Sequence, residues 1–398
     1  MLQHDWIYVI QLCNSFLSGR VEQMNSKRIQ MESTEDIISL IDMMCSHKLH
    51  TILRDKTFIK RVFPDWTLPY FTNIKEQQIA DTYWTETAKI IKQLSEHEFS
   101  YAVVKGIPLS FLLYSEPYAR GIGDVDIVVK NEEFARVFNV LISVGYYRAQ
   151  SSGMKFPVIY YGIHHHEIGL VKDCVPCKVY VEIKRSTSAL DSFEQWSHVT
   201  QKNINGLTLN VLEDNFEILH LILNAFVNNE SFSLFQDCRL RDYFDVAYAI
   251  KHVNFSWQVV LDAAEDMKVT HQIAAVLRSV KELFSAVGEQ VDEVLSLIEK
   301  KYCKYEQTLF YYGMDKFEAT NYGLVENRPR ADMSYSMFDR DFSTYQWNKS
   351  YRAVLYSKKN PDYLKRVFLP PNESTVLYPY RNEAGIHANY RFFLRERD

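Results

Sequence analysis

The residues best placed to do chemistry are two carboxylates two positions apart, Asp124-Val-Asp126. On a strand such residues point to one face, while Val125 and Ile127 turn to the other. Carboxylates held together repel, and a cation or a proton has to compensate them. A divalent metal bound by Asp and water is the natural partner, and Mg²⁺ usually takes substrate phosphates as well. The plain alternative is an exposed strand end carrying two solvated acids. Two neighbouring segments favour the metal. Downstream, Tyr180-Val-Glu182-Ile-Lys184 alternates again, with Val179, Val181 and Ile183 on its apolar face and Glu182 opposite them. Three carboxylates from two strands can hold two metals, which clamp the attacking and leaving oxygens of a phosphoryl or nucleotidyl transfer. Upstream, a strand ends in Lys105-Gly106 and leads into a helix N-terminus, where backbone N–H groups favour phosphate. Lys105 can neutralise a triphosphate. Arg120, just before the acids, can bind phosphate or brace the loop.

The elements that position these residues follow from local patterns. Tyr101-Ala-Val-Val is a short β-type run closed by Lys105-Gly106, and Pro108 to Tyr114 reads as a helix with Pro108 in its first turn. Gly123 to Val129 is a second strand. Asn131 caps a helix over Glu132–Ser143 that stops at Gly145. Extended segments over Val158–Ile163 and His164–Val171 follow, and a turn at Lys172–Pro176 leads into Lys178–Lys184. The middle third is therefore a small mixed sheet with helices. Before it, Thr34 to Met44 and Ile74 to Ser95 carry apolar residues at helical spacing. After it, Asp214 to about Glu299 is helical again, with Phe216, Leu219, His220, Leu223 and Phe226 recurring at three and four residues.

Composition sets the outer bounds. The chain has 398 residues, 47% hydrophobic and 24% charged, which is ordinary for a globular protein and excludes disordered and collagenous classes. The formal net charge of −5 gives no general attraction to nucleic acid or anionic membrane. Glycine numbers 13, where average usage gives roughly 28, so a fold built on Gly-rich phosphate loops is disfavoured. The longest apolar stretch, Phe216–Val227, is too short to span a bilayer and is broken by His220 and Asn224. The N-terminus shows no basic n-region, and six cysteines in a chain of this length are no disulfide scaffold, so a cytoplasmic setting is expected.

Two further clusters have a chemical and a plain reading. His164, His165 and His166 with Cys174 and Cys177 have zinc-ligand types, yet adjacent histidines alternate faces and the cysteines sit in a hairpin turn, so a histidine near the active site is the better reading. The last 98 residues hold 13 of the 26 tyrosines, with Arg328, Arg330, Arg352, Arg381 and Arg391. Val354-Leu-Tyr, Arg366-Val-Phe-Leu and Thr375-Val-Leu-Tyr read there as short strands. Such side chains can stack a base and hold phosphate, and more often pack a small β-rich module. A tail docked over the cleft as a wall of the acceptor site is the functional expectation.

The order and spacing of these motifs resemble the polymerase-β-like nucleotidyltransferase superfamily, and most closely a bacterial family of uncharacterised nucleotidyltransferases often found near peptide natural-product genes. The resemblance rests on Val104-Lys105-Gly106, Leu113-Tyr114, Arg120-Gly-Ile-Gly-Asp124-Val-Asp126, Gly145-Tyr146, His165-His166, Val181-Glu182-Ile183 and Arg239-Leu-Arg-Asp-Tyr-Phe-Asp245, over roughly residues 36 to 290. It implies an α+β fold. A small mixed-sheet core at 99–210 is flanked by helical regions at 1–98 and 211–300, with an aromatic-rich loop/β segment at 301–398. It implies an enzyme moving a nucleoside monophosphate from a nucleoside triphosphate to a hydroxyl acceptor, a small molecule or a peptide. Asp124, Asp126 and Glu182 hold two Mg²⁺ (or Mn²⁺) ions and carry the catalysis, and Lys105, Gly106, Ser110 and Arg120 hold the nucleotide. Ile107 stands where the superfamily usually has Ser or Gly, which leaves Ser110 as the hydroxyl if the helix presents it. Ile183-Lys184-Arg185 replaces the family's usual His and aromatic. Phosphoryl transfer on the same fold and a catalytically silent binding module are the rival readings. Asp126 is expected to face solvent and to contribute little to stability.

Overall fold

Strands form where β-branched residues alternate. A computed structural model describes residues 2–19, 34–46, 48–53, 56–71, 74–114, 119–148, 167–184, 195–226, 240–267, 270–298 and 300. It contains β1 (Tyr101–Val104), β2 (Val125–Val129), β3 (Tyr147–Arg148), β4 (Glu167–Asp173), β5 (Lys178–Lys184), β6 (Val199–Ile204) and β7 (Leu207–Leu212). They make one mixed seven-stranded sheet in the order β3-β4-β5-β2-β1-β7-β6. β2 lies between β1, antiparallel, and β5, parallel, with Asp126 opposite Val104 on one side and Glu182 on the other. This register sets two of the acids side by side at the middle of the sheet.

The chain divides into two compact units, and the sheet belongs to the one built from Asn73–His220. Its core joins Val125, Ile127 and Val129 of β2 to Val179, Val181 and Ile183 of β5. Against them pack Tyr83, Ile90, Ile91 and Leu94 of the helix Ile74–Glu96, and Phe134, Val137, Phe138 and Leu141 of the helix Phe134–Ser143. The second helix has its apolar residues three and four apart, the spacing that gives one core-facing stripe. It ends where Gly145 takes a φ of 95°, a conformation that suits glycine. The β6–β7 hairpin was not expected from the sequence. Its two-residue turn, Asn205-Gly206, has positive φ at both positions, 48° and 80°, as a tight hairpin of this type requires.

The other unit, built from Met1–Thr72 and the chain beyond His220, is helical in its described residues. Phe16 of the helix Leu2–Ser18 meets Phe58 edge-on at 5.3 Å, and Phe244 meets Phe284 likewise at 5.8 Å. Asn14 bridges backbone groups there, donating to the carbonyl of Leu283 and accepting from the N–H of Ala286. No described helix is long and apolar enough to cross a membrane.

Candidate active site

Alternation along β2 and β5 delivers Asp124, Asp126 and Glu182 to one face, and an oxygen from each lies within 4.8 Å of the others. Asp126 is not the solvent-facing acid the sequence suggested: it is 2% exposed. The reason is its place in the sheet, flanked on both sides by strands and reached by two lysines. The ammonium of Lys184 lies 2.9 Å from Asp126 Oδ1 and 2.7 Å from Glu182 Oε2, and that of Lys105 lies 3.4 Å from Asp126 Oδ1. The Lys184 side chain is itself 1% exposed.

Burial alone would raise the pKa of Asp126, but the two ammonium groups override it and hold the carboxyl well below its ordinary range. Asp124 shifts the other way, raised first by burial and then by the charge of Asp126, with Lys105, Lys184 and Arg120 opposing. One acid of the pair is thus firmly ionised and its neighbour is the more readily protonated, as expected of close carboxylates.

The turn between β1 and the helix Gly106–Leu113 is strained. Lys105 takes φ 59° and ψ −119°, a region that a residue with a Cβ rarely adopts. Its N–H donates to Glu217 Oε1 at 2.9 Å. At Gly106, which follows, a Cβ would lie 3.4 Å from the carbonyl oxygen of Asp124 and 4.0 Å from Nη1 of Arg120, so the turn packs directly on the acidic loop. Arg120 is buried beside it. Ser110 is fully buried and its Oγ donates to the carbonyl of Arg120 at 3.3 Å, which places the hydroxyl in the contact between helix and loop. Ile107 is buried in the core.

Three residues complete the site that the sequence reading did not place there. Lys184 shares the face of Glu182 by alternation, a signal present in the sequence. Tyr83 donates from its hydroxyl to the carbonyl of Gly123 at 2.7 Å and accepts from the N–H of Tyr180 at 3.3 Å, so one side chain ties the loop before Asp124 to β5. Burial pushes its phenol up to about 12. Glu217, from the helix Asp214–Ala225, is buried, and burial pushes its carboxyl up to about 8. Only its position on a helix was readable.

Cys174 and Cys177 lie in the β4–β5 turn, partly buried against the core, with burial raising both thiols. The histidines His164–His166, the extended segment Val158–Ile163, Arg185, Arg239 and the whole of 301–398, with its expected strands, tyrosines and arginines, lie outside the described residues.

Three convergent carboxylates are the hard oxygen donors that Mg²⁺ or Mn²⁺ prefers, and they leave room for phosphate oxygens and water in the remaining coordination positions. The donor set fits such an ion. Residues 33–285 match the model of a family described as uncharacterised nucleotidyltransferases, and the chain belongs to that family. A solved structure similar to it is that of an antigenic nucleotidyltransferase-like protein from Paracoccidioides brasiliensis, at 14% identity and TM-score 0.36, covering 58% of this chain and 97% of that one. No curated protein matches the chain.

Proposed function

We propose that the protein is a metal-dependent enzyme that transfers a nucleoside monophosphate from a nucleoside triphosphate to a hydroxyl of a small molecule or peptide. The observation that carries this reading is the convergence of Asp124, Asp126 and Glu182 within 4.8 Å, in a chain that belongs to a nucleotidyltransferase family. Asp124 and Asp126 would hold Mg²⁺, with Glu182 as the third acid beside them. Bound Mg²⁺ supplies positive charge against the triphosphate and the attacking oxygen. The chain's own groups do the rest. Lys105, at the strand end, faces the incoming phosphates, and Arg120 braces the acidic loop against the turn. Glu182 takes the proton of the acceptor hydroxyl. The acceptor oxygen forms its bond to the α phosphorus, the bond between that phosphorus and the bridging oxygen breaks, and pyrophosphate leaves.

The test is incubation of the full chain with Mg²⁺, cell extract and each nucleoside triphosphate labelled in turn at the α and the γ phosphorus. Label transferred from the α position with pyrophosphate release is the expected result. Transfer from the γ position would replace this reading by phosphoryl transfer. No transfer from either, alongside metal and nucleotide binding, would replace it by a binding module.

A further inference from the structure

We infer that Lys184 is a built-in cation of the acidic cluster, standing between Asp126 and Glu182 so that the protein takes one divalent ion there and not two. The inference rests on the metal-binding reading above.

The register explains how a lysine reaches this position. β5 runs parallel to β2 with Glu182 opposite Asp126 and Lys184 opposite Val128, one pleat beyond the acids on the same face. Its four-carbon stem turns back, and the ammonium meets one oxygen of each carboxylate, 2.9 Å from Asp126 and 2.7 Å from Glu182. These are charge-assisted hydrogen-bond distances. The lysine is the most enclosed member of the group, 1% exposed against 31% for Glu182. A buried ammonium without its anions is strongly disfavoured. A divalent ion shared by Asp126 and Glu182 would take the oxygens that balance this charge and set a dication beside it. The carboxylate of Asp124 and the second oxygens of Asp126 and Glu182 remain, room for one ion that Asp124 and Asp126 hold first. Lys184 therefore sets the ion count and fixes Glu182 in place; it is a positioning residue.

The experiment is a titration of the full chain with Mn²⁺, with free ion counted by electron paramagnetic resonance. The wild type should bind one ion per chain. Lys184→Met, folded by circular dichroism, should bind two, and Lys184→Arg, which keeps the charge, should stay at one. Should Lys184→Met fail to fold, the single acid variants decide: Glu182→Gln should keep the ion and Asp124→Asn should weaken it at least tenfold. Two ions on the wild type, one ion on folded Lys184→Met, or loss of the ion in Glu182→Gln would each overturn the inference while leaving metal binding intact. No ion on the wild type would overturn the metal-binding reading itself and this inference with it.

Discussion

The carboxylate of Glu217 accepts the backbone N–H of Lys105, Oε1 to N 2.9 Å, across 112 positions of sequence. The strained turn at Lys105 directly follows β1, and the helix that follows the last strand supplies the acceptor. The second oxygen of Glu217 is buried with no hydrogen-bond partner among the described residues.

This pairing has a pH signature. Burial raises the Glu217 carboxyl from 4.5 to about 8, so between those values the folded chain keeps a proton that the unfolded chain has lost. Stability then falls as pH rises through that window and levels off above it. Glu217→Gln keeps an acceptor for Lys105 and removes the titration. Urea midpoints at pH 5, 7 and 8.5 should decline less steeply for the variant than for the wild type. Glu217→Ala, which strands the Lys105 N–H, should cost about 1–3 kcal/mol at pH 5.

Asp126→Asn should lose both turnover and stability. The substitution takes from the enclosed ammonium of Lys184 one of the two carboxylates it meets, and breaking one side of a buried ion pair costs about 3–5 kcal/mol where no second anion helps. With Glu182 still present, a loss of about 2–3 kcal/mol is expected by chemical denaturation. Asp126→Asn combined with Lys184→Met should recover most of that stability and none of the activity, a coupling that a double-mutant cycle reads directly.

Tyr83→Phe removes the hydroxyl that ties the carbonyl of Gly123 to the N–H of Tyr180. The expected loss is about 1 kcal/mol of stability. Because the tie holds the loop carrying Asp124, Mn²⁺ affinity should fall several-fold as well. A fall in thermal midpoint with unchanged Mn²⁺ affinity would count against the positioning role.

Lys105 allows a direct measurement of backbone strain. Lys105→Gly and Lys105→Ala remove the same ammonium, so both should weaken binding of a triphosphate. Glycine adopts φ 59° without the Cβ penalty. The glycine variant should therefore be the more stable of the two by about 1 kcal/mol, the reverse of their usual order inside a helix.

The parts of this protein legible in its sequence are those that short-range alternation determines. β1, β2 and β5 follow from runs of Val and Ile, and the shared face of Asp124 and Asp126 follows from a period of two. The β6 strand carries Thr200, Gln201, Lys202 and Asn203 at the sheet edge, where polar residues blur the pattern, although Asn205-Gly206 marks the hairpin. The burial of Asp126 was not legible, because alternation says which face a side chain takes and not whether that face is covered. Nor were the contacts of Lys184 and Glu217. One depends on how far a flexible stem folds back, the other on a pairing that no local window contains.

The placement of β7 beside β1 has a consequence for biosynthesis. A ribosome delivers β1, β2 and β5, with all three acids and Lys184, before it delivers β7 and Glu217. At about 5–20 residues per second the gap is on the order of seconds. During that interval all three acids are present in the nascent chain, while the turn at Lys105 still lacks the acceptor that pins it. On the proposed function, the acids that would hold metal are therefore synthesised ahead of the group that pins the turn for phosphate, with the helix after β7 as the last part to arrive.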